Sequence, residues 1–186
     1  MSEPFFQRFR WSDAAALERE IREAQEAHAS ARTSGDKDAE IECACRLGVA
    51  LTAADREAEA ATLLEDALIK ARALAKPAPT AWVMLSRATA RQYLGDRALA
   101  QTMFVEALNI AATQGLREIE HYVLHHRGRC YAEQRDIADA RDCFERALAI
   151  RLELNEPRAE RTREALEQLV EQAYAAASNG KEPTVE

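Results

Sequence analysis

Aromatic residues, glycine and proline are scarce in this chain: Phe, Trp and Tyr together make up 6% of it, and 186 positions hold only 6 Gly and 5 Pro. With 47% hydrophobic and 31% charged residues beside so little Gly and Pro, the composition is that of a soluble helical chain and not a disordered one. With few aromatics, the core must be built mainly from Ala and Leu, which suits closely packed helices. No apolar run approaches the ~18–20 residues of a membrane span, and the N-terminus shows no signal-peptide apolar core; the expected location is the cytoplasm. Basic charge is also in deficit. The 25 Lys and Arg stand against 32 Asp and Glu, a net charge of −7, which argues against nucleic acid or an anionic membrane as main partner. Lysine is rarest, 4 against 21 Arg; with so much Ala, that coding bias suggests a bacterial source. Four cysteines, Cys43, Cys45, Cys130 and Cys143, form neither a disulfide framework nor a CxxC metal knuckle and read as buried apolar thiols. A phosphate loop, nucleophile elbow and cofactor fingerprint are all missing. The expectation is a protein that is not an enzyme, with no catalytic residues, no metal and no cofactor.

What the chain does have is a register. Ala58, Ala60, Leu64, Ala67 and Leu68 recur 40 positions later as Ala98, Ala100, Phe104, Ala107 and Leu108, and again as Ala138, Ala140, Phe144, Ala147 and Leu148. Gly48, Ala88 and Gly128 precede the three sets at the same spacing. A fixed period of this size marks a stacked repeat architecture, and such stacks present extended concave surfaces to partners. Sustained period-two alternation is missing throughout, so the fold class is all-α. The spacing predicts a leading helix over 12–33, with Ser12 as its cap and Gly35 as its stop. Three helix pairs follow over 37–74, 79–114 and 117–154, broken at Pro and Gly, and a capping helix spans 158–177. Together 12–177 form a single domain, preceded by an aromatic and basic segment, 1–11, and followed by a polar tail, 178–186, that reads as disordered. The small residues lie where antiparallel helices cross, with Leu64, Phe104 or Phe144 filling the gap.

Those positions resemble the tetratricopeptide repeat. The third pair carries Leu124, Gly128, Tyr131, Ala140, Phe144 and Ala147; the first carries Leu47, Gly48, Leu51, Ala60, Leu64 and Ala67; the second carries Ala88, Gly95, Asp96, Ala100, Phe104 and Ala107. Arg91 stands where Tyr or Leu is usual, and Arg87 and Arg127 replace the usual Leu before the small residue. The 40-residue period exceeds the usual 34 and is similar to the longer-repeat branch of bacterial regulators and kinesin light chains. The resemblance implies a right-handed α-solenoid of antiparallel helix pairs, about three units with a leading and a capping helix. It also implies a concave groove lined by the first helix of each pair. Carried over by position, that groove includes Cys45, Val49 and Thr52, then Trp82, Leu85, Thr89, Gln92 and Tyr93, then Tyr122, His125, Arg129 and Glu133. Cys45 and Val49 occupy the positions at which peptide-binding members hold a carboxylate clamp, so that clamp is not present.

The functional expectation is a protein- or peptide-binding adaptor or scaffold. Alternatives are a self-assembly module, giving a homodimer through its termini, and a chaperone or sensor for a specific partner. His121 and His125 stand one turn apart, a metal-capable spacing, but no third ligand is fixed and they read as hydrogen-bonding or groove-lining residues. The segment with Phe5, Phe6, Phe9 and Trp11 is expected to fold back over the open end of the stack. It could instead fill a groove, its own or a second copy's, or touch lipid.

Overall fold

The computed structural model describes residues 5–179, with side chains to residue 174. Among them are eight helices and no strand: α1 (Ala14–Ser34), α2 (Lys37–Ala53), α3 (Glu57–Ala73), α4 (Pro77–Tyr93), α5 (Arg97–Thr113), α6 (Arg117–Gln134), α7 (Ile137–Glu153) and α8 (Ala159–Asn179). No helix among the described residues is long and apolar enough to cross a membrane. Each helix packs on the next, and α2 also touches α4, and α4 touches α6. The even-numbered helices therefore form an inner layer and the odd-numbered ones an outer layer, a right-handed α-solenoid.

Packing follows the 40-residue register. Leu64, Phe104 and Phe144 are wholly buried, and each fills the space left by a small residue on the preceding helix of its pair. A Cβ on Gly48 would lie 2.8 Å from the Leu64 side chain, and one on Gly128 would lie 2.9 Å from the Phe144 ring. The helices therefore meet at a distance that only a missing side chain permits. Ala88 holds the equivalent place in the second pair and is fully buried. Where arginine replaces the usual Leu, the guanidinium reaches a polar group beyond the apolar layer. Arg87 pairs with Glu65 at 2.9 Å, and Arg127 donates to Gln101 at 3.3 Å and to the Tyr131 hydroxyl at 2.8 Å.

Helix ends obey a finer rhythm than the repeat. Gly35, Asp55, Ala75, Gly95, Gly115, Arg135 and Asn155 all adopt positive φ, each 20 residues after the last. Each of α1 to α7 thus stops by the same left-handed turn. Ala75, at φ 50, has neither glycine's freedom nor a polar side chain to bond locally. Ala75→Gly should therefore raise stability by about 1 kcal/mol, seen as a higher urea midpoint; an unchanged midpoint would show that the turn is unstrained. At the start of α1 the cap is Asp13, which accepts from the amides of Ala15 and Ala16, and not Ser12. Helix α4 begins at Pro77, two residues before the expected start, because proline's fixed φ suits a first turn. Helix α8 continues to Asn179; the rest of the expected tail lies outside the described residues.

The N-terminal segment lies against its own stack. Phe6 is buried beside Ala132, Ala140, Phe144, Ala165 and Leu169, its ring stacked on Phe144 at 5.9 Å, and so it covers the α6–α8 end. Phe5 meets Tyr93 edge-on at 4.9 Å. Arg8 then reaches the first repeat, donating to the Thr52 carbonyl at 3.1 Å and pairing with Glu57 and, at 2.6 Å, with Asp55. Residues 5–11 therefore run as a strap along the C-terminal ends of α6, α4 and α2. This placement combines the expected cover for the open end with occupation of one edge of the protein's own groove.

Candidate functional site

The inner layer encloses a cup of about 430 Å³. Its stripes come from helical spacing alone. Cys45, Val49 and Thr52 on α2, Trp82, Leu85, Thr89 and Tyr93 on α4, and Tyr122, His126 and Arg129 on α6 recur every three or four residues and so share one face. Phe9 and Trp11 of the strap, Ser86 of α4, and the Glu20–Arg46 pair at the rim complete the wall. The floor is aromatic, with Trp82 and Tyr122 ring centroids 5.1 Å apart.

Three residues expected in the groove are absent from the cup. Gln92 is 1% exposed and donates to Glu133 at 2.6 Å, while Arg97 holds the other Glu133 oxygen at 3.0 Å. The trio ties the second repeat to the third inside the stack. Burial pushes the Glu133 carboxyl up against the opposing pull of those two hydrogen bonds. His125 faces the other way, 3.3 Å from the Thr162 hydroxyl and with its ring 5.4 Å from Phe144. Its neighbour His126 takes the cup position, 3.2 Å from the Thr89 hydroxyl. Both histidines lie one turn from Tyr122 and from Arg129, so spacing alone cannot choose between them. The rotation of α6 against α7 and α8 decides it.

The thiol and the imidazole of the cup are held in neutral, unreactive forms. Burial pushes the Cys45 thiol up to about 12, which leaves no thiolate to act as nucleophile. Burial, followed by the charges of Arg129 and Arg151, pushes His126 down to about 3. Behind it, Arg151 is 2% exposed and donates to His121 at 3.2 Å and to the Arg158 carbonyl at 3.0 Å. His121 is thereby engaged with α7, and no group of three or more metal-ligating side chains occurs among the described residues. The arrangement can hold an apolar guest and offer it a few fixed donors.

A solenoid of helix pairs with an aromatic cup on its inner layer is a repeat fold of the kind that mediates protein–protein interaction. Residues 79–153 match the tetratricopeptide repeat model, a family whose members are typically non-catalytic scaffolds. No curated protein matches the chain. Among solved structures, it is similar to nearly identical TPR-like repeats from a candidate kinesin light chain of Podosopora anserina. One variant of those repeats superposes with a TM-score of 0.64 at 16% identity, over 90% of this chain and 90% of that one. A second structure gives 0.55 at 15% identity, over 98% of this chain and 100% of the other. At such identities the likeness is one of fold.

Proposed function

We propose that the protein is a non-enzymatic, cytoplasmic adaptor that holds a segment of a partner protein on its concave face. The observation that supports this most is a concentration of exposed apolar surface at one concavity. Val49 is 51% exposed, Phe9 44% and Trp11 38%, and all three rim the cup above the Trp82–Tyr122 floor. Aromatic anchors set in a concave pocket are the residue types that dominate binding hot spots. The affinity would come from apolar burial on rigid inner helices, with Thr89 and Ser86 fixing register.

The test is capture of partners from a lysate of the source organism, with wild type and a Trp82→Ala/Tyr122→Ala double variant of matched helicity run side by side. A protein retained by wild type and lost by the variant is the expected result. Equal retention by both would move the contact off the cup.

A further inference from the structure

The cup contains a buried cation that protein docking does not require. Arg129 lines the cup and is 3% exposed. Its hydrogen-bond partners are both neutral, the Phe6 carbonyl at 3.0 Å and the Tyr93 hydroxyl. Glu133 feels its charge, but the two oxygens of Glu133 are held by Gln92 and Arg97. A buried charge with no counter-ion hydrogen-bonded to it is costly, and a guest that supplied one would be favoured. A cationic guest would not be. Two of the cup's rings already face the protein's own cations: Tyr93 lies 4.2 Å from Arg8 and 5.6 Å from Arg129, and Tyr122 lies 5.6 Å from Arg151 and 5.4 Å from Arg158.

Size and shape restrict the guest further. A volume of about 430 Å³ lies in the range of small-molecule sites. The strap runs along the ends of α2, α4 and α6 and walls off one edge, so the cup suits a compact molecule.

We propose that the cup binds a small organic monoanion with an aromatic or otherwise apolar body. Its negative group pairs with Arg129, and its body lies against Trp82, Tyr122, Val49 and Leu85. Thr89 and Ser86 supply neutral hydrogen bonds. This site stands whether or not a protein partner docks on the same face.

Two fluorescent probes with one ring system test it in the full chain: anilinonaphthalene sulfonate, an anion, and uncharged N-phenylnaphthylamine. The sulfonate should saturate at one molecule per chain, quench tryptophan emission, and bind about tenfold more tightly than the neutral probe. Arg129→Met should erase that preference and Arg129→Lys should keep part of it. Because Arg129 also holds the strap, Phe6→Ala provides the control: it loosens the strap, alters no charge, and should keep the preference. Equal affinities for the two probes in wild type would overturn the proposal. So would many weak sulfonate sites, a preference that survives Arg129→Met, or one lost equally in Phe6→Ala.

Discussion

Phe144→Ala should lower stability by about 4–5 kcal/mol, at the upper end of the range for truncating a buried aromatic. The ring is wholly buried at the centre of a cluster with Phe6, Ala140, Ala165 and Leu169. Opposite it is Gly128, whose backbone has no side chain to fill a hole, and the Ala140 carbonyl lies close to the same space. The lost transfer energy is therefore joined by nearly the full cavity term. Two ring contacts disappear as well, with Phe6 at 5.9 Å and His125 at 5.4 Å, and aromatic pairs add about 0.5–1.5 kcal/mol beyond area. Phe104→Ala, in the equivalent place of the second pair, should cost less because no part of the strap rests on it. The measurement is a denaturant midpoint at constant slope, together with hydrogen exchange over residues 5–11. Exchange there should rise in Phe144→Ala and stay unchanged in Phe104→Ala. A loss below about 2 kcal/mol would show that α8 collapses into the space and that the last pair is not rigidly packed.

Phe144 also marks where sequence reading is strong and where it stops. The pairing of Gly128 with Phe144, and of Gly48 with Leu64, is legible because the 40-residue register states it three times in one chain. Helix ends were nearly as clear at Gly35, Gly95 and Gly115. At Ala75 and Asn155 the register and a following proline placed the end, although Asp55, Ala75, Arg135 and Asn155 make the same left-handed turn without the glycine that announces it. The cup was legible in its stripes on α2 and α4. It was not legible at His125 and His126, where a rotation of one residue exchanges core for groove. Gln92 and Glu133 were misplaced for a related reason. Both are polar and suit an exposed face, but each satisfies the other inside the stack. The strap lies furthest from the reach of pattern. Its aromatics are visible in the sequence, yet their seat depends on a contact such as Arg129 with the Phe6 carbonyl, 123 residues apart, which no local spacing encodes. The consequence is functional: residues 5–11 set one wall of the cup and so limit what it can hold.

The fold should lose stability on acidification before most of its carboxylates titrate, by a few kcal/mol between pH 7 and pH 5. His121, His125 and His126 all sit on α6 with their affinity for protons reduced. Burial is the main cause in each, reinforced by the positive charge of Arg151 on α7. Arg129 adds to it for His125 and His126; Arg158 adds to it for His121, where Glu156 opposes. His121 is lowered from its ordinary 6.5 to about 4 and His126 to about 3. The unfolded chain therefore binds protons first. The stabilisation is fully present above the ordinary histidine value and declines as pH falls through 6.5. It levels off only once the folded-state values are reached. Each histidine contributes a slope of up to about 1.4 kcal/mol per pH unit in that window. Glu40, held down to about 2 mainly by hydrogen bonds from Lys70 and Lys37, acts the same way but later, losing its contribution as pH falls from 4.5 towards 2. Between 6.5 and 5 the change thus belongs to the histidines. Urea unfolding at half-unit pH steps measures it. His121→Gln should reduce the slope by about a quarter, since His28 on α1, also lowered mainly by burial, titrates together with the three histidines of α6. A stability that stays flat down to pH 5 would mean that the histidines take up protons in the folded state, and that Arg151 does not hold them neutral.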